Sequence, residues 1–182
     1  ITKEASSLGS TVHLLCEKYL YNHELKSNDK EAISVFNRLR FLLSNINNII
    51  GLEIPLYSDK LKVAGTADCI AEYNGVLSVI DFKTSRKPKK EEWIEDYFLQ
   101  ISAYAMAHDA YYGSEIRQGV IMICTPDLYY QEFRITDHGL RSWKHKFLKR
   151  LDHYNELISD EKERAKVDMT DLLKEFDKDK VS

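Results

Sequence analysis

Prolines are scarce, three in 182 residues, and the chain carries neither an internal repeat nor a low-complexity tract. That excludes a solenoid and a tail-like, biased-composition protein. Cysteines are few as well. Cys16, Cys69 and Cys124 lie far apart and form no CxxC pair, which argues against cysteine-bound zinc or iron–sulfur. Three thiols without a framework suit a reducing compartment, so a cytoplasmic, intracellular location is expected. No apolar run approaches the ~20 residues that a membrane helix needs, so no membrane partner is expected. The opening stretch Ile-Thr-Lys-Glu-Ala-Ser-Ser is charged and polar rather than leader-like. It has no initiator Met and reads as the start of a processed chain or a fragment. An excess of positive charge is also missing. The net charge is −3 at pH 7 and the pI is about 6.1, which argues against a protein that coats nucleic acid nonspecifically but leaves room for a local basic groove.

What is present is an ordinary globular composition, 43% hydrophobic and 30% charged, in a length that suits one domain spanning residues 1–182. Apolar spacing predicts a first helix over about 7–22, with Val12, Leu15, Tyr19 and Leu20 as its stripe. Asp29 is placed to cap a second helix whose stripe is Ile33, Phe36, Leu39, Leu42, Leu43 and Ile46. Gly51 ends that pattern, and 52–57 reads as a strand. Two strand-like runs follow, 62–73 and 76–83, joined by Asn74-Gly75, the strongest short signal for a two-residue type I′ hairpin. After a basic loop comes a long helix, 91–112, closed by Gly113. A second hairpin turns at Pro126-Asp127, and helices over 137–159 and about 161–177 finish the chain. The order ααβββαββαα predicts an α/β fold, bordering on α+β, with helices flanking a central mixed sheet.

A two-residue hairpin fixes register. With Asn74 and Gly75 as the loop, Tyr73 pairs with Val76, Asp68 faces Asp81, and Thr66 faces Lys83. Counting outward, the two aspartates fall at a non-hydrogen-bonded position, where Cβ atoms approach to roughly 5 Å. Two carboxylates that close repel unless one is protonated, Lys83 pairs with them, or a divalent cation bridges them. Period-2 alternation puts Asp81 and Lys83 on one face and turns Phe82 to the other. An isolated Asp-x-Lys most often faces water. Here Ile70, Leu77 and Val79 make that face apolar, so a bare pair of acids is costly. Two oxygen ligands with an ammonium alongside are the kind of site Mg²⁺ takes.

The ordered set Gly65-Thr66-Ala67-Asp68, Ile80-Asp81-Phe82-Lys83, Gln100 and Tyr104 resembles the PD-(D/E)xK nuclease superfamily, in its RecB-like exonuclease branch. Gly9-Ser10-Thr11-Val12-His13 is similar to that branch's N-terminal helix motif, and Glu53-Ile54-Pro55-Leu56 to its next strand. The resemblance implies a restriction-endonuclease-like core and a Mg²⁺- or Mn²⁺-dependent deoxyribonuclease with no iron–sulfur cluster. Asp68, Asp81 and Lys83 would be catalytic. His13, Asp68, Asp81 and the Phe82 carbonyl would hold the metal. Gln100 and Tyr104 would line the site or hold DNA, with Ser10 of the helix motif beside them. Leu8 stands where relatives often carry Arg, which removes one phosphate contact.

Each candidate has a plainer reading. A lone histidine on an amphipathic helix is more often structural, and an aromatic stripe of the kind formed by Tyr97, Tyr104 and Tyr111 is more often core. A glutamine in such a stripe needs a polar partner. A charge run is usually a solvated loop, but Arg86, Lys87, Lys89 and Lys90 follow directly on the Asp-x-Lys strand, where a phosphate backbone would enter. Glu53 is a single outward strand glutamate near enough in the pattern to reach a metal or its water. The function expected is an exonuclease acting on DNA, on single strands or duplex ends, in processing, repair or recombination. A structure-selective endonuclease and a noncatalytic DNA-binding module are the alternatives.

Overall fold

The computed structural model describes residues 2–178, with side chains described for residues 7–162. Helices α1 (Thr2–Leu20) and α2 (Lys30–Leu43) lead into strands β1 (Ile46–Ser58), β2 (Val63–Tyr73) and β3 (Val76–Thr84). A 3-10 turn at Glu91–Trp93 precedes α3 (Glu95–Tyr112), followed by β4 (Gln118–Cys124), β5 (Tyr130–Thr136) and α4 (Asp137–Lys178). Asp29 caps α2 by accepting from the Ala32 amide at 2.9 Å. Gly113 closes α3 in the left-handed conformation, φ 65°. The fold is α/β, with a mixed sheet flanked by helices. Two compact units divide the chain, residues 1–144 and 145–182. The first contains the whole sheet. The second is helical over its described part, with Leu148, Tyr154 and Leu157 exposed.

The sheet order is β1-β2-β3-β4-β5, antiparallel throughout except for the β3/β4 pair, which is parallel. Helix α3 makes the crossover that a parallel pair requires. Alternation sorts the sheet's side chains between two clusters. Cys69, Ala71, Ile80, Phe82, Val120 and Met122 pack with Val12, Leu15, Phe36 and Leu39 of α1 and α2. Ile70, Val79, Ile121 and Ile123 pack with Phe98, Ile101 and Ala105 of α3. Helices on both faces bury β4 along its entire length. That is why its sequence reads as a continuous apolar run rather than an alternating one.

Two sequence-based expectations need correction. The strand after α2 starts at Ile46, not Leu52. Ile46, Ile49 and Ile50 have helical spacing, but the β1/β2 register shifts between Asn47 and Gly51, and Asn48 takes φ 44°. That irregularity erases the period of two which would have announced a strand. At the other end, one helix runs from Asp137 to Lys178 in place of the two expected. Ser159-Asp160 supplies neither a proline nor a glycine to stop it. The element order therefore ends in a single helix.

Candidate active site

Asn74 and Gly75 take φ 50° and 78°, the two positive values that a type I′ turn requires. The register then runs as the turn dictates, from Tyr73↔Val76 out to Cys69↔Ile80. There the ladder stops, one pair short of Asp68 and Asp81. Beyond that point β2 stays paired with β1 down to Val63, and β3 stays paired with β4 up to Thr84. The sheet forks, and the two aspartates are the first residues on either arm. Thr66 and Lys83, expected to face each other, lie on separate arms, with Thr66 paired to Pro55. The Phe82 amide, the next donor that would continue the ladder, instead donates to Asp68 Oδ2 at 2.7 Å. Parting the arms relieves the direct opposition of a buried and a half-buried acid and opens room for other side chains.

Those side chains come from three other elements. His13 reaches in from α1, its Nδ1 3.6 Å from Asp68 Oδ2 and its ring edge-on to Phe82. Gly9, one turn earlier, lets α1 lie close to the end of β3, because a Cβ there would stand 3.1 Å from Thr84 Oγ1. Glu53 comes from β1. It sits between the pairs Leu52↔Cys69 and Ile54↔Ala67, level with Asp68, and its φ of 49° breaks the regular strand there. Ligand atoms of His13, Glu53 and Asp68 all lie within 4.8 Å of one another. His13 and Glu53 border a cavity of about 350 Å³ that Gly9, Ser10 and Glu17 also line.

Asp81 is tied differently. Lys83 Nζ donates to its Oδ1 at 2.7 Å and sits equally close to Oδ2. That second oxygen is buried, with the Lys83 ammonium as its counter-charge. Tyr97 of α3 presents its ring to Lys83, with Nζ 5.4 Å from the centroid. Farther along α3, Gln100 Nε2 donates to the Tyr104 hydroxyl at 3.1 Å, which answers the demand for a polar partner. Tyr104 in turn occupies the space beside Gly65 on the β2 arm, where a Cβ would come within 2.6 Å of its hydroxyl. Arg86 and Lys87 are exposed on the loop after β3. That loop is anchored by the Ser85 amide donating to Cys124 O at 3.1 Å, and by Gln131, which exchanges two hydrogen bonds with the Lys89 backbone.

The electrostatics follow from burial. Burial first, and the neighbouring Asp81 second, push the Asp68 carboxyl up to about 7, against the Phe82 amide and Lys83, which pull it down. Burial also raises Asp81, with Lys83 opposing. For Lys83, burial pulls down on the ammonium, but the charge and hydrogen bond of Asp81, with Asp68 and Tyr97 behind them, together offset it and the group ends above its usual value. Burial and then Lys83 lower His13, which favours the neutral ring with a free lone pair. Glu53 is raised by burial and then by Asp68. Clustered carboxylates that resist ionisation, with a neutral imidazole beside them, are a donor set that suits a divalent cation.

The structure thus brings His13, Asp68, Asp81, Lys83 and the Phe82 backbone to one fork. Ser10 lies on the cavity rim, and Gln100 and Tyr104 line the adjoining helix face. Glu53 and Tyr97 received too little weight in the sequence. The β1 irregularity hides the alignment of Glu53 with Asp68, and Tyr97 reads as a core aromatic. Cys16, Cys69 and Cys124 are free and buried.

Comparison with known proteins places these features in a group. A sequence profile of the PD-(D/E)XK nuclease superfamily matches residues 26–178. Mitochondrial genome maintenance exonuclease 1 of Xenopus tropicalis is 34% identical over 167 residues, covering 87% of this chain and 47% of that protein. The Mus musculus protein of the same name is 34% identical over 155 residues, covering 81% of this chain and 46% of its own length. The chain thus spans about half the length of the curated relatives it matches. A crystal structure of a protein from Eubacterium rectale superposes with a TM-score of 0.56 at 14% identity. That match covers 82% of this chain and 64% of the other, and it shows a shared fold.

Proposed function

The chain belongs to the PD-(D/E)XK nuclease superfamily, and on that premise we propose that it is a Mg²⁺- or Mn²⁺-dependent exonuclease acting on DNA ends. The observation that carries this reading is the fork. It gathers ligand atoms of His13, Glu53 and Asp68 within 4.8 Å of one another, with Asp81 on the other arm holding a lysine. His13, Glu53, Asp68 and Asp81 are the residues that would hold the ion, with the Phe82 carbonyl beside them. A divalent ion bound there supplies Lewis-acid polarisation of a phosphoryl oxygen and a water of lowered pKa.

The chain's own groups do the rest. Lys83 stays charged, because Asp81 raises it and Tyr97 shields one side. Its ammonium orients the attacking water and offsets negative charge developing on the phosphate. Asp81 fixes the direction of that ammonium. Gln100 and Tyr104, locked to each other, present a hydroxyl and an amide to the substrate strand. Arg86 and Lys87 attract the phosphate backbone at the mouth. All three residues of the Asp, Asp, Lys set are present, which favours an enzyme over a binding module. DNA processing, repair or recombination is the proposed context, in keeping with the relatives' names.

Degradation of linear DNA in Mg²⁺ by wild type and Lys83→Ala tests the reading. The variant is expected to lose about 10²–10³ in rate. Equal rates would overturn the proposed role of Lys83. A covalently closed circle separates end-dependent from internal cleavage, since an exonuclease leaves it intact.

A further inference from the structure

Three tyrosines lie together at the far end of α3, away from the fork. Tyr57 of β1 is 54% exposed, and Tyr111 and Tyr112 of α3 are 61% and 57% exposed. The Tyr57 and Tyr111 rings are 5.8 Å apart and tilted by 59°, and Tyr111 meets Tyr112 at 4.7 Å and 70°. Tyr112 also packs on His108, with ring centroids 4.6 Å apart, and all three tyrosines remain more than half exposed. With Pro55 and Leu56 the three rings line a cleft of about 230 Å³. Three clustered exposed aromatics are an unusual surface for water to cover, and they mark a contact site.

Their position on α3 indicates what they contact. Tyr97, Tyr104 and Tyr111 are spaced by seven residues, so successive members drift only about 20° around the helix. The stripe starts at Lys83 with Tyr97, passes the Gln100–Tyr104 pair, and ends at the tyrosine cleft. Fourteen residues of helix separate Tyr97 from Tyr111, or about 21 Å. At about 3.4 Å per stacked nucleotide, and up to twice that when extended, this corresponds to roughly three to six nucleotides. Lys60 and Lys62 are exposed, together with Asp59, in the turn just after Tyr57. Exposed rings on a helix that starts beside the proposed phosphodiester site are equipment for holding single strands, because bases stack on them.

We propose that Tyr57, Tyr111 and Tyr112 form a base-stacking platform for single-stranded DNA, gripping the substrate strand roughly three to six nucleotides from the bond cut at the fork. The assignment rests on the nuclease reading above and adds to it a second contact on the strand and a footprint.

The test is affinity for labelled oligothymidylates in chelator, without turnover, for wild type, Tyr57→Ala/Tyr111→Ala and Tyr57→Phe/Tyr111→Phe. The alanine pair is expected to weaken octamer binding by about tenfold per lost ring. It should leave trimer binding unchanged, and the phenylalanine pair should bind both lengths as wild type does. Removing single bases from the octamer should weaken wild type at one or two adjacent positions and leave the alanine pair unaffected. Unchanged octamer affinity in the alanine pair would overturn the platform. So would loss in the phenylalanine pair as deep as in the alanine pair, or an alanine-sensitive dimer with normal DNA affinity. Mg²⁺-dependent cleavage of linear DNA, run alongside, separates the two failures. If cleavage persists while the platform fails, the nuclease reading stands. A wild type that neither binds nor cuts DNA sinks both.

Discussion

Asp68 is the first residue of the β2 arm and its carboxyl is raised well above the usual range, so its titration gives a testable consequence. Its carboxyl moves from the usual 3.8 to about 7 in the folded chain. Between those values the folded protein holds a proton that the unfolded chain has released. Stability of the chelated protein therefore falls as pH rises from about 4 to about 7, and the penalty is complete above that. Melting temperature in chelator should drop between pH 5.5 and 8. Added Mg²⁺ should restore more of it at pH 8 than at pH 5.5, because the ion competes with the proton. A chelated protein that gains stability across that window would contradict this electrostatic picture. Glu53 is the second residue to test. Glu53→Gln should weaken Mn²⁺ binding by about tenfold in a calorimetric titration. Unchanged affinity would leave Glu53 a bystander on β1.

The separation of the sheet arms gives an element-scale prediction. Tyr104 of α3 fills the space that Gly65 leaves open on the β2 arm, so Gly65→Ala forces one of them to move. It should cost about 1–3 kcal/mol in denaturant unfolding. Tyr104→Ala in the same chain should recover part of that loss, and strict additivity of the two changes would argue against the contact. At this scale the sequence was legible wherever local chemistry decided the outcome. The Asn74-Gly75 turn and the Asp29 cap announced themselves, and the turn fixed the register as far as Cys69↔Ile80. The fork was not legible. It depends on β2 and β3 each following its outer neighbour, and no pattern within the hairpin encodes that. The start of β1 was hidden by the irregularity at Asn48. The continuous α4 was missed because a polar Ser-Asp pair resembles a stop and is not one.

For the whole molecule, charge distribution matters more than charge total. A chain of net −3 binds a polyanion only through local clusters, and Arg86 and Lys87 stand at the mouth of the fork. The double variant Arg86→Ala/Lys87→Ala should flatten the slope of log affinity against log salt by about 1.4 on single strands, if each cation displaces one counterion. An unchanged slope would move the entry path elsewhere. The absence of a cysteine framework and of a long apolar run narrowed the class from the start, and the ordered motifs located the chemistry. The same fork also holds the most direct test of the central claim. Anomalous scattering from a Mn²⁺-soaked crystal should show an ion bound by Asp68 and Asp81, with His13 at its edge. Clear density for all three side chains with no anomalous peak between them, or a peak elsewhere on the protein, would contradict the account.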